Sequence, residues 1–318
     1  MEKLVGSFFC GVGGIDYPFT HSNGWKVVFA NDFNRYSRIT YNSNFLEHPM
    51  DFGDVEQLDL DSLPKFSFLI GGFPCQAFSV AGSQKGFEDS RGKLIYSIVE
   101  ILHKVKPRGF LLENVSNLVT HNHGETFATI RELLQNEGYH IDYAIMNASE
   151  YGNVPQNRNR VYIIGFKNAT RLKRFTWPRP IERTVSVTDV VDVNNRVDEH
   201  YYYTQEKYPR VMAHFDRVEH SVGQIYQYRR NGIRVNKSGL VPTLTANMGL
   251  GGHNVPLVFT NHGLRKLTPR ECFRLQGFPE DFVLPENVSE MHLYQQAGNS
   301  VCVNVISRIV AEIEKVFD

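Results

Sequence analysis

The sequence predicts an α/β fold built on a Rossmann-like sheet, followed by a second, smaller and irregular domain. As far as Phe166, short apolar segments alternate with segments whose apolar residues recur at helical spacing. A glycine-rich turn, Cys10-Gly11-Val12-Gly13-Gly14, follows the first apolar segment. From Lys167 to Gly263 the alternation fades, and Tyr, Arg and Gly become frequent. We therefore divide the chain into a first domain over 1–166, a second over 167–263 and a C-terminal segment over 264–318.

The composition is that of an ordinary globular protein. The chain has 318 residues, 42% of them hydrophobic, which is enough for a substantial core. Lys+Arg and Asp+Glu number 34 each, so any surface for nucleic acid must be local. The four cysteines show no metal-ligand or redox spacing, and no apolar segment reaches the roughly 18 residues that a membrane helix needs. We expect a cytoplasmic protein without a metal site or a membrane span.

The N-terminal segment is typical of a nucleotide-binding unit. Leu4–Phe9 reads as a strand, and the glycine turn leads into a helix that begins near Ile15. The next strand, Trp25–Ala30, leads to Asp32, about 20 residues past the turn, where such folds bind ribose hydroxyls. Asp54 could accept a hydrogen bond from an adenine amino group while Val55 packs on the ring. Because no Walker sequence occurs, these residues favour an adenosine cofactor over a nucleoside triphosphate.

A cysteine and a glutamate follow two neighbouring apolar segments. Phe66–Ile70 reads as a strand that Gly71-Gly72-Phe73-Pro74 ends, so Cys75 is expected on a loop at its carboxyl end. A lone cysteine is most often an inert core residue, but the glycine pair, the proline and the polar residues after it favour a presented thiol. Gly109–Leu112 reads as the next strand and brings Glu113 to the same edge, although a residue there can also be a simple turn or cap.

The remaining elements follow from spacing and caps. Helices are predicted over Lys93–Val105 and Thr126–Glu137, and strands over Tyr143–Met146 and Val161–Phe166. Gln156, Arg158 and Arg160 fall on one side of the entry to the last of these strands, where a guanidinium pair can grip phosphate or orient a carbonyl. Thr268 caps a helix with Pro269 at its first position, Glu271 completing a capping box and Gly277 at its end. Gln295–Val301 leads into a terminal helix, Val303–Val316.

The region over 167–263 brings basic and aromatic residues together. Tyr201, Tyr202 and Tyr203 precede Tyr226, Tyr228 and a group of arginines that includes Arg229, Arg230 and Arg234. We interpret it as a domain whose basic and hydrogen-bonding side chains face nucleic acid. The alternative is a loop-rich lobe for regulation or dimerisation.

Several motifs resemble those of one family in its usual order. Gly-Phe-Pro-Cys-Gln-Ala-Phe-Ser at 72–79, with its continuation to Gly92, resembles the catalytic loop of the DNA (cytosine-5)-methyltransferases of prokaryotic restriction-modification systems. Glu-Asn-Val at 113–115, Gln-x-Arg-x-Arg at 156–160 and Thr-Leu-Thr-Ala at 243–246 continue the likeness. The resemblance implies a catalytic and cofactor-binding domain over 1–166, a target-recognition domain over 167–263, and a segment over 264–318 that supports recognition and returns a helix to the catalytic domain.

The resemblance also implies a mechanism and its residues. Cys75 adds to carbon 6 of a flipped-out cytosine, and a methyl group passes from S-adenosylmethionine to carbon 5. The catalytic residues it implies, beside this cysteine, are Glu113, Arg158 and Arg160. The cofactor residues are Phe9, Gly11, Gly13, Gly14, Asp32, Phe33, Asp54, Val55, Pro74 and Asn299. The residues expected on DNA are Ser79, Gln84, Arg91, Gln156, Arg229, Arg230, Arg234, Thr243 and Thr245.

One position departs from the family, and two other functions stay open. Asp32 stands where the family usually has glutamate, so the ribose contact is direct or through a water. The partner that the resemblance implies is double-stranded DNA, and a monomer is expected. The alternatives are the transfer-RNA branch of the family, from which the Cys75 loop differs, and a catalytically silent nucleic-acid-binding relative, against which the set of Cys75, Glu113 and Arg160 argues.

Overall fold

The computed structural model of the protein describes residues 3–73, 94–230 and 232–317. Pro74, Cys75, Ser79, Gln84 and Arg91 lie outside the described residues. Within them the strands are β1 (Lys3–Phe8), β2 (Trp25–Asp32), β3 (Asp51–Phe52), β4 (Phe68–Gly71), β5 (Gly109–Val115), β6 (His140–Asn147), β7 (Gln156–Asn157), β8 (Asn159–Phe166), β9 (Ile225–Arg229), β10 (Gly232–Val235), β11 (Val241–Pro242), β12 (Leu257–Thr260) and β13 (Gly263–Lys266). The α-helices are α1 (Asp16–Thr20), α2 (Arg35–Asn44), α3 (Leu94–Val105), α4 (Glu125–Asn136), α5 (Ala148–Tyr151), α6 (Ala169–Arg174), α7 (Val187–Val190), α8 (Pro209–Phe215), α9 (Pro269–Leu275), α10 (Glu290–Asn299) and α11 (Val303–Phe317).

These elements form two compact units, each assembled from separate chain segments. The first unit contains the described residues of 1–146, 159–179 and 305–318, and the second contains 147–158 and the described residues of 180–304. The chain thus enters the second unit at 147–158 and returns to the first for β8 and α6. The predicted functional domains are consecutive, with limits after 166 and 263, and the roles assigned to them stay predictions.

The first unit is built on a seven-stranded sheet in the order β3-β2-β1-β4-β5-β8-β6. β1 is parallel to β2 and β4, β2 to β3, and β4 to β5, whereas β8 is antiparallel to β5. The predicted α/β fold is therefore confirmed. Phe8 pairs with Gly71, and Gly71 pairs with Leu112, so the carboxyl ends of β1, β4 and β5 meet at one edge of the sheet. Ligands of open α/β sheets bind at such an edge.

The core of this unit explains why these strands form. All four residues of β4 and the first six of β5 are buried, as expected of parallel strands covered on both faces. α3 contributes Ile95, Ile98, Ile101 and Leu102 to the core, which is the spacing of one helical face. β5 runs three residues beyond the strand that hydrophobicity predicts, to Val115, and so includes Glu113 and Asn114. These two polar residues are held by strand geometry rather than by a loop.

The second unit is more regular than the sequence suggests. It contains a four-stranded sheet in the order β10-β9-β12-β13, with antiparallel pairing at each step. Its small core is formed by Tyr203, Val211, Phe215, Tyr226, Leu257 and Leu264.

The predicted cap of α9 is confirmed, because the Thr268 side chain accepts from the Glu271 amide in a capping box and Gly277 follows with a φ of +76°. In contrast, residues 295–299 belong to α10 and not to a lead-in to the terminal helix, which corrects the prediction.

We expect Gly298→Ala to destabilise the protein by about 2 to 3 kcal/mol, although alanine favours a helix. A Cβ at Gly298 in α10 would lie 2.2 Å from the Thr245 carbonyl carbon, which belongs to backbone that cannot turn aside. Urea unfolding measures the change. Gly53→Ala is the matched control, since a Cβ there meets no described atom within 4 Å, and it should leave stability nearly unchanged. Equal stability of the two variants would contradict the close packing at Gly298.

Candidate active site

The glycine-rich turn after β1 presents open backbone at the edge of the sheet. Phe9, Gly11 and Gly13 all have positive φ angles, of 54°, 55° and 85°. A Cβ on Gly11 would meet no described atom within 4 Å, whereas a Cβ on Gly13 would lie 2.2 Å from the ring of Phe45. Gly13 is thus required by packing behind the turn, and Gly14 beside it is buried. Gly11 leaves room on the other side for a ligand to approach the backbone.

Asp32 ties this turn to the end of β2. Its Oδ2 accepts a hydrogen bond from the Gly11 amide at 2.9 Å, and its Oδ1 accepts from the Asn34 amide at 2.8 Å. Burial raises the pKa of the Asp32 carboxyl, and the amide donors oppose that change. Each oxygen keeps a lone pair, so the carboxylate can still accept a ribose hydroxyl.

Three further residues predicted for the cofactor follow Asp32. The ring of Phe33 is 65% exposed, which is unusual for a phenylalanine and leaves a flat apolar face available. Asp54 is exposed, and its Oδ1 accepts from the Glu56 amide at 3.1 Å. Val55 is buried, with only 6% of its surface exposed. An open glycine turn, an exposed aromatic ring and two strand-end acids fit an adenosine group, and the individual contacts stay predictions.

Glu113 and Arg160 form an ion pair at the same edge. The Arg160 Nε lies 2.9 Å from Glu113 Oε1, and both side chains are nearly buried, with 13% and 10% of their surface exposed. β5 supplies the carboxylate, β8 the guanidinium, and the antiparallel register pairs Val115 with Arg160. The sequence predicts that both residues act on the same base. The structure adds that they contact each other directly.

The chain that leads toward Cys75 passes this pair. Gly72 lies against Glu113, since a Cβ on Gly72 would be 3.4 Å from Glu113 Oε2. Asn114 Nδ2 donates to the Phe73 carbonyl at 3.1 Å, and Phe73 itself is buried. Asn114 belongs to the Glu-Asn-Val motif, but its own role could not be predicted from the sequence. Its side chain fixes the backbone at the point where the described stretch ends.

The structure does not support the predicted roles of Gln156 and Arg158. Gln156 is fully buried, its amide donates to the Leu275 carbonyl, and its Oε1 accepts from the Leu244 amide, so it is not available to DNA. The Arg158 guanidinium is 2% exposed and donates to the carbonyls of Leu244, Gly298 and Ser300. Both side chains hold backbone within the second unit. Period-two alternation places them on one side of the strand but does not reveal that this side faces the core.

The other predicted contacts with DNA that lie within the described residues are accessible. Arg229, Arg230 and Arg234 are exposed on the hairpin of β9 and β10. Thr243 and Thr245 are exposed as well, and the Thr243 hydroxyl donates to the Asn157 carbonyl at 2.6 Å. Asn299, predicted for the cofactor, is exposed at the end of α10 in the second unit.

The described residues contain neither a metal-binding cluster nor a membrane-spanning helix. No group of three or more His, Cys, Asp or Glu side chains among them could hold a metal ion. No helix formed by these residues is long and apolar enough to cross a membrane.

Comparison with known proteins identifies the family. A family model described as C-5 cytosine-specific DNA methylase matches residues 4–315. The chain is 47% identical over 315 residues to the type II methyltransferase M.Bsp6I of Bacillus sp. (strain RFL6), covering 98% of both chains. It is 37% identical over 314 residues to M.SsoII of Shigella sonnei, covering 98% of this chain and 79% of that protein.

Solved structures show the same fold. The Entamoeba histolytica methyltransferase EhMeth is similar with a TM-score of 0.77 at 18% identity, covering 100% of this chain and 99% of that chain. The S. pombe Dnmt2 methyltransferase is similar with a TM-score of 0.74 at 21% identity, covering 100% of both chains. The family model and the identity to curated relatives agree with the motif order found in the sequence. The chain therefore belongs to the C-5 cytosine-specific DNA methylase family, and it is a DNA (cytosine-5)-methyltransferase.

Proposed function

We propose that the protein methylates one cytosine within a specific sequence of double-stranded DNA, as the modification enzyme of a restriction-modification system. The observation that carries the chemistry is the ion pair of Glu113 and Arg160 beside Gly72 and Phe73. Cys75 follows Phe73 by two residues in the sequence, and Phe73 lies beside this ion pair. A thiol, a carboxylate and a guanidinium can therefore converge on one base.

The reaction needs these three groups because carbon 5 of cytosine is not nucleophilic in the aromatic ring. Addition of the Cys75 thiolate to carbon 6 breaks the double bond between carbons 5 and 6 and moves its electrons onto the ring. Glu113 stabilises the charge that develops at ring nitrogen 3 by hydrogen bonding or proton donation. Arg160 orients the carbonyl oxygen, and its contact with Glu113 fixes both side chains before the base arrives. Carbon 5 then bonds to the methyl group, and removal of its proton by a base restores the double bond as the thiolate leaves.

S-adenosylmethionine, when bound, supplies an electrophilic methyl group. The residues proposed to hold it are the open Gly11 turn, Asp32 for the ribose, and Phe33 with Asp54 for the adenine. Phe9, Gly13, Gly14 and Val55 shape this region, and Pro74 and Asn299 complete the proposed set. Arg158 is proposed to position backbone rather than to contact substrate, since its guanidinium already donates to three carbonyls.

DNA is proposed to contact the exposed arginines of the β9–β10 hairpin, together with Thr243 and Thr245. Such guanidinium groups neutralise phosphates or read base edges. Ser79, Gln84 and Arg91 are proposed to contact DNA from the loop that carries Cys75. The type II methyltransferase relatives support the restriction-modification role.

Incubation with S-adenosylmethionine labelled in its methyl group tests the substrate. We expect label in 5-methylcytosine of double-stranded DNA, and bisulfite sequencing of DNA from cells that express the gene should show one modified sequence context. Label on transfer RNA instead of DNA would favour the RNA branch of the family. Label on neither substrate would favour a silent relative.

A further inference from the structure

A buried carboxylate lies next to the glycine turn, and the chemistry described above does not use it. Asp16 is the first residue of α1, two residues after Gly14, and it is 0% exposed. The Ser7 hydroxyl donates to its Oδ2 at 3.0 Å, and the Tyr41 hydroxyl donates to its Oδ1 at 2.9 Å. Its hydrogen bonds therefore reach β1 and α2, and both donors are neutral.

No cation among the described residues forms an ion pair with Asp16. A second acid, Asp32, acts on Asp16 electrostatically, and burial together with both carboxylates raises the pKa of the Cys10 thiol in the turn. Two acids thus act on the turn from different elements of the first unit. Because buried charges interact through a low dielectric, this arrangement creates a negative potential around the turn.

Keeping the Asp16 carboxylate ionised lowers the stability of the folded state. Burial raises the pKa of Asp16 from 3.8 to about 6. The folded protein therefore holds a proton that the unfolded chain releases, and the contribution of this group to stability is lost as the pH rises from about 4 to about 6. Above that range the carboxylate is ionised at a cost to stability. Groups maintained at such a cost are typical of functional sites.

We propose that ionised Asp16 is a specificity-determining residue that favours the cationic sulfonium of S-adenosylmethionine over the neutral thioether of the product S-adenosylhomocysteine. The inference rests on the cofactor proposed above. Both molecules carry the same adenosine, ammonium and carboxylate groups, so a buried negative charge distinguishes them only through the sulfonium. Weaker retention of the product shortens the time for which it occupies the site after each methyl transfer.

The test is calorimetric titration of the full-length protein with each of the two molecules at pH 8. Asp16→Asn should weaken binding of S-adenosylmethionine by about tenfold and should change binding of S-adenosylhomocysteine by less than about twofold. Tyr41→Phe is the matched control, because it removes one hydrogen-bond donor and keeps the charge. At pH 8, Tyr41→Phe should keep the wild-type preference for S-adenosylmethionine over S-adenosylhomocysteine.

The pH dependence of the wild-type protein gives an independent readout that needs no variant. Its preference for S-adenosylmethionine should fall as the pH drops from 7 to 5, because Asp16 becomes protonated near pH 6. Of the groups facing Asp16, Cys10 and Tyr41 stay neutral, since burial raises the pKa of each, and Asp32 is the other acid that titrates. Asp16→Asn should remove most of this pH dependence. The variant therefore distinguishes the effect of Asp16 from that of Asp32.

The results of these titrations distinguish a failure of the role proposed for Asp16 from a failure of the proposed cofactor. Equal weakening of both molecules by Asp16→Asn would indicate a structural role and would overturn the inference, as would a preference that does not change with pH. If the wild-type protein binds neither molecule, the cofactor assignment itself fails. If it binds both and the variant behaves like the wild type, only the inference fails.

Discussion

Cys75→Ser should reduce methyl transfer to DNA by at least about 10³-fold. A serine hydroxyl is far less ionised than a thiol at neutral pH, so it cannot add efficiently to carbon 6. Without that addition, carbon 5 stays unreactive however well the cofactor is placed. A single-turnover assay with labelled S-adenosylmethionine measures the loss.

The control for this variant is the removal of another thiol. Cys272 is fully buried in the second unit, and Cys272→Ala should retain methyl transfer. Binding of S-adenosylmethionine should be similar in the wild type and in Cys75→Ser. Normal transfer by Cys75→Ser would show that the nucleophile is assigned wrongly.

Glu113→Gln should slow the single-turnover rate by about 10²- to 10⁴-fold. Glutamine keeps the shape of the side chain but carries no charge and cannot deliver a proton to ring nitrogen 3. It also leaves the guanidinium of Arg160 nearly buried without its ionic partner. The affinity for S-adenosylmethionine should change little, because the residues proposed for the cofactor lie on other loops.

Glu100→Gln is the matched control, because Glu100 is exposed on α3 of the same unit. It should leave the rate unchanged. A Glu113→Gln variant whose rate equals that of the wild type would remove Glu113 from the mechanism. A variant that binds the cofactor poorly would point instead to a local structural defect.

The sheet and its edge could be predicted because local sequence determines them. The apolar segments that become β1, β4 and β5 end at glycines or polar residues, and parallel strands bring such ends together. Glu113 was thereby predicted at the edge of the sheet where the structure places it. Its direct contact with Arg160 was not predicted, because it depends on β8 pairing antiparallel to β5 across 47 positions of sequence.

Gln156 and Arg158 show where sequence reasoning fails. Their spacing is the same as that from Arg158 to Arg160, and polar side chains at a strand entry are usually accessible. The structure buries them because carbonyls from Leu244, Leu275, Gly298 and Ser300 converge there, from segments far away in sequence. A buried guanidinium must be matched by acceptors, and only the folded chain shows which acceptors are present.

The acid at Asp16 was overlooked for a related reason. In the sequence it stands between Ile15 and Tyr17 at the start of a short helix, a common position for an exposed acid. Its burial depends on Tyr41, which lies 25 residues away and donates to it from α2. The sequence pattern therefore indicates the glycine turn but not the buried charge next to it.

The most direct test of the covalent mechanism uses DNA that contains 5-fluorocytosine at the target position, together with the wild-type protein and S-adenosylmethionine. A base removes the proton at carbon 5 of ordinary cytosine, but it cannot remove fluorine in the same way. The thiolate therefore cannot leave, and the bond between sulfur and carbon 6 should persist. We expect a stable protein–DNA adduct whose cross-linked peptide contains Cys75, as mapped by mass spectrometry. An adduct on Cys10, Cys272 or Cys302, or methyl transfer to ordinary DNA with no adduct on the fluorinated substrate, would contradict it.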